Sequence, residues 1–315
     1  MKKYYFALIL ITALIFALFL RKPTLERTDF ALDTFVTLTL YGGNEETLNE
    51  AFRLIHEYEN IFSPTRAESA LSKLNNTGLS DNEALYELIS ESIVYCGSTD
   101  GRFDITIAPV SDMWSLGYVP EKADIQNALT AVSYENITCE TGTVFLENNV
   151  RVDLGAAAKG YIADRVIEYL VSRNIKVAIV NLGGDIYALG DRNFKIGVQK
   201  PFAPQGEIIG FFSANNTAVV TSGIAQRYFT ADGVIYHHVI DALTGEPVNN
   251  GILSVTVLAP SALEADILAT SAMILGLEQG TALIESAGAK GLFATENGLY
   301  FAGGAEDDFT IGDTQ

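Results

Sequence analysis

The sequence predicts an α+β fold with mostly antiparallel sheet, and two observations carry that prediction. Strand-like and helix-like stretches come in runs rather than in strict strand–helix–strand alternation. The stretches rich in β-branched and aromatic residues are short and cut by glycines, most densely between about residues 177 and 260. A length of 315 residues with 48% hydrophobic side chains allows a large core, as one domain or as two interlocked halves. We divide the chain into a targeting segment with linker, 1–28, and one folded domain, 29–315.

The elements follow in order. Lys2 and Lys3 precede an unbroken apolar run from Tyr4 to Leu20, closed by Arg21, Lys22 and Pro23. Its length suits a spanning helix better than a signal-peptide core, and no Ala-x-Ala site or cysteine follows it. We expect a signal anchor with the body on the extracytoplasmic face of the membrane; a cleaved secretory signal is the alternative. Residues 21–29 read as a polar linker. Phe30 to Tyr41 alternates as a strand, and Glu45 to Asn60 is an amphipathic helix carrying Leu48, Phe52, Ile55 and Tyr58 on one side. Residues 61–71 read as loop. Ser80-x-x-Glu83 is a capping box for a helix that turns Leu85, Leu88, Ile89, Ile93 and Cys96 inward. With two cysteines in all, a buried thiol at Cys96 is expected rather than a disulfide.

A further helix is expected from Glu121 to Ala131, then a hairpin of about 136–140 and 143–146 around Gly142. Val152 to Asp164 turns from strand to helix through Gly155, three alanines, Lys159 and Gly160. Small side chains let a ligand reach the backbone, and the following helix offers free N–H groups to an anion; an ordinary tight turn is the plainer reading. Val177–Val180 is a buried strand leading into Asn181-Leu182-Gly183-Gly184-Asp185. Ser261-x-x-Glu264 caps a helix that runs to Leu275 and stops at Gly276.

Charge narrows the function classes. A formal net charge of -19 should repel nucleic acid and anionic surfaces, and a polyphosphate ligand would need a cation or a local basic group. Asp266 and Thr270 lie four apart on one helix face, where carboxylate and hydroxyl with carbonyl oxygens opposite make a hard-oxygen site suited to Mg²⁺. The spacing alone reads more simply as an exposed aspartate and a threonine in an alanine-rich helix. His237 and His238 are adjacent on a strand, so only one can face a given site. A general base and a hydrogen-bonded structural histidine are equal readings of that one. Asp241-x-x-Thr244-Gly245 reads as a turn with an Asx or Thr cap.

In order, these segments resemble the ApbE family, the FAD:protein FMN transferases. The resemblance rests on Phe103-Asp104-x-Thr106 with Pro109 and Trp114; Asp153-Leu154-Gly155-x-x-Ala158-Lys159-Gly160-Tyr161-x-x-Asp164; Asn181 to Asp185; Thr221-Ser222-Gly223; His237-His238-x-Ile240-Asp241-x-x-Thr244-Gly245; and Ala265-Asp266-x-Leu268-Ala269-Thr270. It covers roughly residues 28–305. It implies an extracytoplasmic enzyme built on paired T-fold units that takes FAD and Mg²⁺, places FMN on a Thr or Ser hydroxyl of an exported flavoprotein, and releases AMP. The implied acceptor is a subunit of a Na⁺-pumping NADH:quinone reductase or an Rnf-type redox complex.

Carried over by position, the resemblance gives Asp266, Thr270 and the main-chain oxygen of Ala156 to Mg²⁺. It gives Leu32, Thr65, Arg102, Phe103, Asp104, Lys159 and Ile240 to FAD, and His238 to the reacting hydroxyl. Where the family usually has Met-Gly-Thr, this chain has Leu32-Asp33-Thr34. A metal-dependent FAD pyrophosphatase and a non-catalytic flavin-binding protein are the competing expectations.

Overall fold

The computed structural model describes residues 24–312. The apolar run from Tyr4 to Leu20 lies outside the described residues, and none of the described helices is long and apolar enough to cross a membrane.

An eight-stranded sheet organises the molecule: β1 (Thr24–Ala31), β2 (Thr34–Tyr41), β3 (Ala178–Leu182), β4 (Asp185–Leu189), β5 (Thr217–Gly223), β6 (Ile252–Ala259), β7 (Lys290–Thr295) and β8 (Gly298–Ala302). The strands lie side by side in chain order and every neighbouring pair is antiparallel. The chain therefore runs twice through two strands, a helical insertion and two more strands. The first insertion holds α1 (Glu45–Phe62), α2 (Ala70–Thr77), α3 (Glu83–Ser98), α4 (Ala108–Trp114), α5 (Lys122–Leu129) and α6 (Ala158–Ser172). The second holds α7 (Ala262–Leu275) and α8 (Leu277–Ser286). The α+β expectation with mostly antiparallel sheet is met.

Strand alternation sorts the core into two faces. Val36, Leu38, Leu40, Val180, Val220, Val255, Val257 and Phe293 pack under the helices in the main cluster. Ala188, Val219, Leu258 and Leu292 point the other way, onto a three-stranded sheet of Phe194–Gln199, Ile208–Ala214 and Phe309–Ile311. α7 is buried on nearly every side, between α6 and the sheet. Its neighbour comes so close that a Cβ on Gly160 would stand 2.4 Å from the Ala262 carbonyl oxygen. A smaller cluster of Val110, Trp114, Ile125 and Ile240 joins α4 and α5 to the segment after β5.

Several sequence expectations need correcting. The polar stretch read as linker forms most of β1, which ends at Ala31, and the strand expected from Phe30 to Tyr41 is broken at Leu32-Asp33. Edge strands carry charge to discourage further pairing, and Glu26, Arg27 and Asp29 disguised this one. The two break residues adopt φ of 56° and 57°; aspartate is among the side chains that tolerate that conformation, and leucine is not. Ser80 does not cap α3: Asn82 does, accepting the Leu85 amide at 3.0 Å, while Ser80 sits in a two-residue strand. α2 and α4 are too short to show a full apolar period in the sequence. The Ser261 cap is as expected, its hydroxyl accepting the Glu264 amide at 3.2 Å, and α7 ends at Gly276. Cys96 is a buried free thiol, and burial pushes its pKa up to about 12.

Candidate active site

The site gathers where the tips of two hairpins meet the start of α6. Gly183 and Gly184 turn β3 into β4 at φ of 70° and 105°. A Cβ on Gly183 would stand 2.5 Å from Thr34, so the β1–β2 tip rests on the β3–β4 tip. This tight turn delivers Asp185, 2% exposed, to the Lys159 ammonium on the first turn of α6.

Asp266 enters from α7. It is 3% exposed, which removes the reading of an exposed aspartate. Its Oδ2 accepts the Gly160 amide at 3.0 Å. That amide lies in the first turn of α6, which has no helical carbonyl before it to take the proton. The carboxylate at the helix N-terminus has taken the anion position that the sequence left for a ligand, and Ala156 lies just ahead of the helix. Thr270, one turn along α7, shares a hydrogen bond of 2.8 Å with Ser222 at the end of β5.

Two buried carboxylates thus face one ammonium. Desolvation, and then the Asp185 charge, push the Asp266 pKa up to about 7. Burial works against the Lys159 charge, but Asp185 and Asp266 outweigh it and hold its pKa above that of a free lysine. The cluster is one positive charge short. Among the described residues no three His, Cys, Asp or Glu side chains converge as a metal cage. Hard oxygens are nevertheless at hand in the Asp266 carboxylate, the Thr270 hydroxyl and the Ala156 carbonyl. A dication that keeps several water or phosphate oxygens fits this donor set and this charge deficit.

The two histidines divide as their strand positions require. His237 is buried: its Nδ1 accepts the Val239 amide at 3.3 Å and its Nε2 donates to the Val248 carbonyl at 2.9 Å. His238 opens to solvent, with Nδ1 3.2 Å from the Arg227 carbonyl. A carbonyl only accepts, so Nδ1 carries the proton and the neutral ring keeps a lone pair on Nε2. One side of the exposed ring packs against protein, and that partial desolvation first, then the Arg227 cation, lowers the His238 pKa below the ordinary imidazole value.

The other positions are placed differently. Asp104 is buried with both oxygens engaged: Oδ1 accepts the Thr106 amide at 2.8 Å and hydroxyl at 2.7 Å, and Oδ2 the Tyr134 amide at 2.8 Å. Phe103 is part of the main core. Arg102 pairs with Asp241 at 2.8 Å and donates to the Ile274 carbonyl at 2.9 Å, tying its loop to the end of α7. Asp241 accepts the Leu243 amide in the expected Asx turn, and Ile240 is buried beside Trp114. Leu32 donates its amide to Glu59 at the hairpin tip, and Thr65 is exposed beside Ser63 in the loop before α2.

Sequence reasoning gave no role to Asp185, Ser222 or Asp164. Asp164 accepts from the Ser261 hydroxyl and from the Ala262 and Leu263 amides at 2.7–3.0 Å, so α6 caps α7. Its place in the Lys159-Gly160-Tyr161-x-x-Asp164 run was the available signal.

The sequence matches the ApbE family over residues 32–293. The chain belongs to the ApbE family. An FAD:protein FMN transferase of Klebsiella pneumoniae (strain 342) is 35% identical over 274 residues, 83% of this chain and 86% of that protein. The ApbE protein of Thermotoga maritima superposes with a TM-score of 0.84 at 28% identity, covering 91% of this chain and 99% of that one. The flavin transferase ApbE from Vibrio cholerae superposes at 0.81 with 27% identity, covering the same shares.

Proposed function

We propose that this ApbE-family chain is an FAD:protein FMN transferase that moves FMN from FAD to a Thr or Ser hydroxyl of an exported flavoprotein and releases AMP. The family match carries the reading, because residues 32–293 include every residue of the site.

In the proposed reaction the acceptor hydroxyl oxygen attacks the FMN phosphorus. The bond from that phosphorus to the bridging oxygen breaks, and AMP leaves with that oxygen. The hydroxyl proton passes to His238 Nε2, since an unassisted alcohol is too weak an acid to attack. Asp266, Thr270 and the Ala156 oxygen would hold Mg²⁺, which when bound supplies positive charge across the diphosphate. Lys159, fixed by Asp185, adds one positive charge at the same place. The helical insertions and hairpins fit paired T-fold units, a feature we adopt as part of this reading.

Location and acceptor extend the proposal. The apolar run from Tyr4 to Leu20 supports a membrane anchor with the body on the extracytoplasmic face. A redox-complex subunit of the Na⁺-pumping NADH:quinone reductase or Rnf type is the acceptor we assign.

The test is to incubate the full chain with FAD, Mg²⁺ and a candidate acceptor flavoprotein, then separate the proteins under denaturing conditions. Flavin fluorescence that stays with the acceptor is the expected result. Free FMN with an unlabelled acceptor would replace the transferase with an FAD pyrophosphatase, and unchanged FAD would leave a binding protein.

A further inference from the structure

We propose that the Arg227 guanidinium binds the diphosphate of FAD, a contact that rests on the transferase reading and names one more residue for it. Arg227 lies in the loop that leaves β5, and Gln226 ties that loop back by donating to the Thr221 carbonyl at 3.3 Å. The next residue of β5 is Ser222, whose hydroxyl meets Thr270 one helical turn from Asp266. On its other side, the Arg227 carbonyl holds the His238 ring. The main chain of Arg227 thus bridges the end of β5 to the base.

Its side chain is differently placed from the other cations of the region. Arg102 is engaged by Asp241, and Lys159 by Asp185. Arg227 is exposed, and among the described residues its guanidinium enters no ion pair or side-chain hydrogen bond. Its main chain lies against the His238 ring, the carbonyl 3.2 Å from Nδ1, which keeps its charge on the same side of the site, where it opposes those of Lys159 and His238. An uncommitted arginine beside two other groups that carry or accept positive charge gains nothing from the apo protein. A diphosphate supplies the missing partner, and the planar fork suits two phosphate oxygens at once. Charge counting agrees. Lys159, Asp185 and Asp266 sum to about −1 when all are ionised; a dication makes that +1, the diphosphate −1, and Arg227 neutral.

The test measures FAD and riboflavin binding to the full chain by flavin fluorescence, with Mg²⁺ present, for wild type, Arg227→Gln and Arg227→Lys. Riboflavin shares the ring system and lacks the phosphates. Arg227→Gln should weaken FAD about 10-fold or more, as for a lost charge-assisted hydrogen bond, with riboflavin affinity and unfolding temperature unchanged. Arg227→Lys should recover part of the loss. Equal weakening of both ligands would make Arg227 a structural support of the His238 loop, and unaltered FAD binding would remove it from the site; either result overturns the proposal. Wild-type protein that binds FAD without transferring FMN would overturn the transferase reading, and the FAD-to-riboflavin comparison would still decide the role of Arg227.

Discussion

Two polar centres lie on this chain, and they differ in how fully their carboxylates are hydrogen-bonded. Around Asp104 and the Arg102–Asp241 pair, both oxygens of each carboxylate accept hydrogen bonds, though Asp104 has no ion-pair partner among the described residues and burial raises its pKa. Asp104 accepts three donors through two oxygens, and Asp241 meets one guanidinium and one backbone amide. Around Lys159, two buried carboxylates share one ammonium, and a single amide, that of Gly160, reaches Asp266. Burying charge without full pairing costs several kcal/mol, so the fold tolerates the second centre for something other than stability. The matched centre holds loops in place. The mismatched one carries the charge deficit that the proposed dication would fill.

The sharpest way to break this distinction is at the edge of the mismatched centre. His238→Ala should slow transfer by about 10²–10⁴, the usual worth of a general base, with FAD binding within a few-fold of wild type. The pH profile carries a sign. The folded His238 pKa is lowered, so the base stays active through neutral pH and the rate falls only below the ~6.5 of a free histidine. An unchanged rate in His238→Ala would make His238 a structural histidine like His237, whereas an acid limb at or above ~6.5 would show only that its pKa is not lowered.

Asp266→Asn should come next, slowing transfer on the order of 10²–10³ by loss of fixed electrostatic stabilisation. The isosteric amide relieves the mismatch, so the metal-free variant should unfold at the same temperature as wild type or higher. Added Mg²⁺ should raise the unfolding temperature of wild type and not of the variant. A clear loss of stability in the metal-free variant would show Asp266 to be matched after all.

These two centres also mark how far the sequence could be read. Asp266, Thr270, Lys159 and His238 stood out as residues, but spacing alone read Asp266 and Thr270 more simply as helix surface and left His238 even with a structural role; only the resemblance to the ApbE family assigned them. The N-cap at Ser261 fixes the phase of α7 and thereby turns Asp266 inward. Asp185 and Arg227 were hidden for a physical reason: their roles depend on pairing between strands and loops far apart in the chain. Asp185 meets Lys159 across 26 residues, and Arg102 meets Asp241 across 139. No local pattern records such a meeting. The first strand was missed because an edge strand with charged residues looks like a linker.

Within the matched centre, effects should move from rate to stability. Arg102→Ala leaves Asp241, buried, with an unpaired charge and frees the Ile274 carbonyl at the end of α7. Asp241 is buried but solvent screens the partly exposed guanidinium, so we expect a loss of about 1.5–2 kcal/mol, the lower part of the range for a hydrogen bond to a charged group. Urea unfolding reads it directly. A change under about 0.5 kcal/mol would mean that the pair is a surface contact and the centre is not what holds the loop.

The smallest expected effect lies at the β1–β2 tip, which belongs to neither centre. Asp33 takes φ of 57° next to Leu32 at 56°, a left-handed pair that L side chains adopt with strain. Asp33 is exposed, so no packing compensates. Asp33→Gly removes the steric cost, while the freer glycine raises the entropy of the unfolded chain. The two effects oppose each other, and the net should be a gain of about 0.5 kcal/mol, a degree or two in unfolding temperature for a domain of this size. The substitution also removes a negative charge from the tip resting on Gly183, two residues before Asp185, so FAD affinity should rise or stay level and not fall. A loss of more than about 1 kcal/mol would show that the Asp33 side chain stabilises the turn, and weaker FAD binding would bring the tip into the site as a contributor of charge.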